Sequence, residues 1–251
     1  MVSYLLSAII VFLFSGVLAM AGLGAAFIFV PLFYYMGMSL SEATPVALLL
    51  NTISLMFAAI SYWRAKLINW VVGLPMLVAA VAFSPLGAVM TPYVPKRILL
   101  GLFATFLLFA GTMMLFYTPK PRTEKVNRTK EVLIGVGIGA IAGFLGGLLG
   151  VGGGNFILPT LAWFGLDPKI AAATTAIIVV FSSFSGFLGH ATLGGLDIKF
   201  IVVTGIAAAA GSIIGAHLMK KKFSSAQLKK IIGVLLWLIA LKIVWDVITM
   251  H

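Results

Sequence analysis

The chain alternates long apolar runs with short polar gaps, and the lengths of those runs predict helices that cross or enter a bilayer. No Asp, Glu, Lys or Arg occurs in residues 1–41, and stretches 98–118, 132–166, 170–196 and 200–219 are equally free of full charge. About 20 apolar residues in an α-helix cover the roughly 30 Å of a hydrocarbon core. The only long polar segment is 119–131, PKPRTEKVNRTKE, with five basic and two acidic side chains. It predicts a basic cytoplasmic linker between a first transmembrane repeat, 1–118, and a second, 132–251.

The two parts repeat one another. An ungapped shift of 128 residues lays Gly22, Gly24, Pro31, Gly37, Ala43, Ser54, Ser84 and Gly87 on Gly150, Gly152, Pro159, Gly165, Ala171, Ser182, Ser212 and Gly215. Matching apolar residues would carry little weight in such a chain, whereas glycines and prolines report backbone shape. The second part divides into five apolar stretches, near 132–149, 156–166, 170–189, 200–219 and 231–248. Its second stretch, like residues 27–36 in the first part, is too short to span, and glycines precede both: Gly22 and Gly24 in one copy, Gly150, Gly152, Gly153 and Gly154 in the other. Each is expected to be a broken or re-entrant helix that starts inside the membrane.

The predicted fold is therefore an all-α integral membrane protein of two repeats, each with long transmembrane helices and one short broken helix, about 8–10 membrane segments in total. If the first two stretches of a repeat return the chain to its starting side and the other three cross, the copies are inverted relative to one another. Arg64, Lys66, the linker bases, Lys169, Lys220, Lys221, Lys222, Lys229 and Lys230 then share the cytoplasmic side, leaving Lys96, Arg97 and Lys199 outside. A parallel repeat would export the 220–230 cluster, so the charges favour inversion.

Composition sharpens this picture. Of 251 residues 62% are hydrophobic and 9% charged, with mean hydropathy +1.17. No soluble domain hides that much apolar surface. The net charge of +11 sits in gaps between apolar runs rather than on one face of a soluble module, which sets nucleic acid aside as a partner and leaves lipids. With no cysteine, thiolate metal sites and disulfides are excluded. The first residues lack a basic n-region and their apolar run has a counterpart later in the chain, so they are read as a membrane segment rather than a cleaved signal. A multi-pass protein of the cell membrane, plasma or inner, is expected.

Little side-chain chemistry is available at depth. All six acids, Glu42, Glu124, Glu131, Asp167, Asp197 and Asp246, fall in gaps or near segment ends, so no buried carboxylate relay is present for proton or sodium coupling. His190 and His217 lie late in their stretches, where placement at the membrane interface accounts for both. No paired histidines at metal spacing, HExxH or Ser-His-Asp order occurs, so neither a metal nor a cofactor is expected, and the protein is not read as an enzyme. What remains is backbone. A helix beginning at a glycine-rich break offers unpaired N–H groups and the positive end of its dipole, and glycine lets an oxyanion approach them.

The candidate substrate-binding residues are accordingly Gly22, Gly24, Gly150, Gly152, Gly153 and Gly154, with Asn155 placed to cap the second short helix or donate to a bound anion. Asn51, Thr52 and Ser54 in one third stretch, and Thr174, Thr175 and Ser182 in the other, add hydroxyls and an amide. Hydroxyls in membrane helices often bond back one turn, so each has a structural reading as well. Gly135, Gly137, Gly139, Gly143, Gly146 and Gly147 are read as surfaces for close helix packing. From residues alone the substrate is a small anion.

The breaks GVGGGNFILP at 150–159 and GLGAAFIFVP at 22–31, with Leu196-Asp197 matched by Ile68-Asn69 and the duplicated organisation, resemble the TauE/SafE family of sulfite exporters. That resemblance implies a secondary transporter of sulfite, an organosulfonate such as sulfoacetate, or a related sulfur oxyanion, in a family of both exporters and importers, and export is the direction expected here. Ala25 and Ala26 stand where the second copy has glycines, which predicts a tighter first break and unequal half-sites. An inside-negative potential drives anions outward at about 2.3 kcal/mol per charge per 100 mV, so export requires no coupling carboxylate. An anion channel of the same architecture, and a membrane scaffold subunit without transport, are the rival readings. Association of the chain with itself is left open.

Overall fold

A computed structural model describes residues 4–19, 24–116, 128–191, 197–222 and 225–249. Among them are ten α-helices: α1 Tyr4–Ala19, α2 Ala26–Tyr35, α3 Leu40–Arg64, α4 Trp70–Met90, α5 Lys96–Phe116, α6 Arg128–Leu149, α7 Gly154–Trp163, α8 Pro168–Ala191, α9 Ile198–Lys222 and α10 Ser225–Thr249. A short 3₁₀ turn, Thr91–Tyr93, extends α4. Five spans, Leu40–Arg64, Trp70–Tyr93, Lys96–Met113, Thr129–Leu149 and Lys169–Ala191, are long and apolar enough to cross a membrane. The protein is an all-α, multi-pass membrane protein.

The helices run past the apolar stretches at several ends, because a helix continues into the headgroup zone where charge is tolerated. Thus α6 starts at Arg128 and α9 runs to Lys222. Both short helices, α2 and α7, have 10 residues, about 15 Å and half a bilayer. The glycines that frame them match in backbone as well as sequence: φ is +76° at Gly24 and +74° at Gly152, +98° at Gly37 and +83° at Gly165. Each pair is separated by the same 128 residues.

Helix directions follow from which residues meet. On α6, added Cβ atoms at Gly139, Gly143 and Gly147 would strike the backbone of Met76, Ala80 and Ser84 in turn, so α6 and α4 run parallel with their main chains in close contact. Similarly Tyr4 reaches Asp197 and Gly211 abuts Phe12, making α1 and α9 parallel. On α8, Thr174 meets Asn69, Ser185 meets Val81 and Gly189 meets Pro85, so α8 is parallel to α4. By contrast Leu48 packs near Gly186 and Asn51 near Ser183, which makes α3 and α8 antiparallel.

Exchanging the repeats turns the α4–α6 contact into α9–α1 and returns α3–α8 to itself. A pair that a two-fold rotation maps onto itself is antiparallel only if the axis lies across the helices. The axis therefore lies in the membrane plane, and the repeats are inverted. The serines matched by the sequence shift obey the same operation: Ser84 Oγ donates to the Ser182 carbonyl at 2.8 Å, and Ser212 Oγ donates to Ser54 Oγ at 3.1 Å.

Candidate functional site

The first break ends at Gly24, and α2 starts two residues later with its first turn turned towards the middle of α3. Asn51, halfway along α3 and fully buried, accepts through Oδ1 from the N–H of Ala25 at 2.7 Å and of Ala26 at 3.3 Å. It is the cap of a helix that begins in the membrane interior, where unpaired donors would each cost several kcal/mol, on the order of the penalty for a polar group in hydrocarbon. Its Nδ2 donates to Ser183 Oγ of α8 at 2.9 Å. One carboxamide thus bridges both repeats.

The second break meets the same side chain. A Cβ on Gly152 would lie 2.6 Å from Asn51 Nδ2 and would overlap Ser183 Oγ, while a Cβ on Gly24 would overlap Asn51 Oδ1. With φ near +75° at both positions, glycine is required for conformation as well as space. Gly24 and Gly152 therefore flank Asn51, and inversion sets α2 and α7 head to head across it. The two starts are unequal. The residue matching Asn51 in the second repeat is Val179, whose methyl cannot cap α7, and among the described residues nothing accepts from the N–H of Gly153 or Gly154. Ala25, matching Gly153, has φ −113° where Gly153 has +71°. The start of α2 is the one that Asn51 caps.

The other candidate residues divide into near and far. Ser182 Oγ donates to the Gly152 carbonyl at 3.3 Å and to Val179 at 3.4 Å, holding the second break. Gly150, with φ +72°, packs on Thr44, and Gly153 packs on the Ala142 carbonyl of α6. Gly154 opens α7; Asn155 lies in its first turn with a side chain outside what the structure describes, and Gly22 lies outside the described residues. Thr52 Oγ1 bonds back to the Leu48 carbonyl at 3.0 Å, and Ser54 accepts from Ser212, so both are occupied in helix packing. Thr174 sits near the start of α8, where its hydroxyl accepts from the Asn69 N–H at 3.0 Å, well away from the breaks. Thr175 Oγ1 is buried without a partner, as are Thr44 Oγ1 and Ser15 Oγ.

His190 lies in the last turn of α8, late in its stretch as expected, but is packed inside the bundle. It is 2% exposed, and its Nε2 bonds to the Gly147 carbonyl at 2.9 Å. Since a carbonyl only accepts, Nε2 carries the proton. Apolar runs show where a helix ends but not which face of that end is covered; here α4 and α6 cover it. The His217 side chain lies outside the described residues. Trp63 and Trp70 are 63% and 45% exposed beside Arg64 and Lys66, as belt residues should be. Among the described residues no cluster of His, Cys, Asp and Glu could hold a metal.

Residues 7–243 match the family described as Sulfite exporter TauE/SafE. The chain is similar to probable membrane transporter protein YunE of Bacillus subtilis, 24% identical over 91% of this chain and 92% of that protein. It is likewise similar to probable membrane transporter protein MJ0441 of Methanocaldococcus jannaschii, 25% identical over 85% and 86%. Over 39% of the chain and 24% of the relative, it is 31% identical to Sulfite exporter TauE/SafE family protein 1 of Arabidopsis thaliana. No solved structure matches the chain.

Proposed function

The chain belongs to the TauE/SafE sulfite exporter family of membrane transporters, and on that premise we propose that it is a secondary carrier exporting a small sulfur oxyanion, sulfite or an organosulfonate such as sulfoacetate. The anion is held at the facing starts of α2 and α7, near the membrane midplane. The observation that carries this reading is the position of Asn51 Oδ1 on the first N–H groups of α2, with Gly152 against the same side chain. A carboxamide oxygen there occupies the place an oxyanion oxygen would take, and the uncapped α7 start faces it with N–H groups of its own.

In the conformation seen here Asn51 fills the space between the breaks, and the two described cavities lie elsewhere. Substrate entry requires the breaks to separate, which is the movement alternating access supplies. That closed packing favours a carrier over a channel, whose ion path would be continuous in its conducting state. Outward movement down the membrane potential fits the absence of a carboxylate from the middle of the described helices: Glu42 and Glu131 lie in first turns, Asp167 and Asp197 precede α8 and α9, and Asp246 lies in the last turn of α10. The test is thermal stabilisation of the purified protein across sulfite, sulfoacetate, sulfate and simple carboxylates. Stabilisation by a sulfur oxyanion supports the assignment; a response to carboxylates alone overturns it.

A further inference from the structure

At the end of the bundle opposite Arg64 and Lys66, a cavity of about 600 Å³ opens between α2, α3, α4, α5 and α8. Its wall carries Tyr34, Ser39, Thr91, Lys96, Leu99 and His190. Lys96 Nζ lies over the Tyr34 ring, 5.1 Å from its centroid, and has no carboxylate partner among the described residues. Among the described residues no Asp or Glu lines this cavity. Ser39 does bond to Glu42, but that carboxylate is turned into the first turn of α3, where Ser39 N–H and Oγ hold it. The neighbouring cavity shares Tyr34, Ser39 and Lys96 but includes Asp246, which Lys242 and Tyr35 occupy.

The cavity floor connects to the second break. His190 bonds to the carbonyl of Gly147 and Thr91 Oγ1 donates to that of Leu148 at 3.1 Å, both in the last turn of α6. Helix C-terminal carbonyls repel anions, and these two side chains cover them on the side facing the cavity. One turn further along the chain lie Gly150, Gly152 and Gly153. On α8, His190 is one turn from Gly186 and two from Ser183, which bonds Asn51. A face of α8 thus leads from the midplane to the cavity.

We propose that this cavity is a second binding site for small oxyanions, a vestibule on the less basic face in which Lys96 supplies the charge and His190 and Thr91 form the floor. It rests on the reading of the breaks as the central site and adds a separate station to it. The ammonium neutralises the anion, the Tyr34 ring holds the ammonium at the mouth, and the covered α6 carbonyls remove the opposing field.

The experiment uses full-length protein carrying ¹³C-labelled histidine, in nanodiscs of neutral phosphatidylcholine at pH 8. There are three histidines, and His190→Gln identifies the resonance of interest. Sulfite is titrated against sodium chloride at equal ionic strength. The vestibule predicts a saturable shift of the His190 signal with sulfite and none with chloride, still present in Gly152→Ala and weakened at least about tenfold in Lys96→Gln, the order expected for one lost charge contact near a surface. No shift with sulfite, an equal shift with chloride, or a shift indifferent to Lys96→Gln overturns it. Nanodiscs containing phosphatidylglycerol form a further arm: if that lipid alone moves the signal and abolishes the response to sulfite, the site belongs to a headgroup and the proposal fails. Thermal stabilisation of the native chain by sulfite, with His190 silent throughout, refutes the vestibule and leaves the central site standing.

Discussion

Asn51 of α3 donates through Nδ2 to Ser183 Oγ of α8 at 2.9 Å, joining the two antiparallel helices at the level of both breaks. Both residues are fully buried, so neither can turn to water. Replacing Ser183 by Ala leaves an amide N–H without its acceptor in an apolar interior and is expected to cost about 1–3 kcal/mol. Thermal unfolding in detergent of Ser183→Ala beside the native chain checks this; equal midpoints would show that the bond contributes nothing.

The glycines of α6 separate close packing from mere composition. A Cβ on Gly143 would overlap the Ala80 carbonyl, whereas one on Gly137 would meet nothing within 4 Å. Gly143→Ala is expected to destabilise by about 2 kcal/mol or more through forced separation of α4 and α6. Gly137→Ala is expected to be neutral or to stabilise by up to about 1 kcal/mol, the helix-propensity difference. The unfolding midpoint should fall for Gly143→Ala and hold or rise for Gly137→Ala.

Inversion makes a prediction about sidedness. The native chain has no cysteine, so single replacements report cleanly. Lys66→Cys and Lys130→Cys should react with a membrane-impermeant maleimide from one side, the cytoplasm, and Lys96→Cys only from the other. Labelling of Lys66→Cys and Lys96→Cys from the same side would contradict the direction of α4.

Much of this was legible in the sequence because glycine and proline report backbone shape directly. The breaks, the short helices and the duplication all follow from Gly24, Gly37, Gly152 and Gly165, whose positive φ values are a local requirement, whereas the inversion was legible only in the placement of the basic residues. The role of Asn51 was legible only in part. A carboxamide in an apolar run signals a buried polar task, but the partner it serves lies 26 residues earlier, and only tertiary packing brings Ala25 to it. Thr174 shows the opposite: a polar residue in the matched stretch serves Asn69, because a helix has faces that composition does not distinguish. The Lys96 cavity left no sequence signal beyond a base on the sparsely charged side.

Asp197 caps α9 by accepting from the Phe200 N–H at 3.0 Å, and the Tyr4 hydroxyl donates to it at 2.7 Å. These bonds, the Phe200 one foremost, hold its carboxyl below the usual aspartate range. Because the folded pKa lies below the unfolded one, its contribution is present in full above the unfolded value and disappears as pH falls through the folded value. Between pH 7 and pH 3, Asp197→Asn should therefore lose less stability than the native chain. A parallel decline of the two would show that the carboxylate is not linked to folding.

The most direct test of the central site is sulfite binding to Asn51→Asp at pH 8. The new carboxylate has the same shape, can still accept from Ala25 and Ala26 and can take a hydrogen bond from Ser183, and these bonds offset part of the cost of burying its charge. Two like charges about 4 Å apart at an effective dielectric of about 20 repel by about 4 kcal/mol. Sulfite affinity should accordingly fall at least about a hundredfold in Asn51→Asp protein that still unfolds in one cooperative transition. Native affinity in a folded Asn51→Asp protein would place the anion somewhere other than between Gly24 and Gly152.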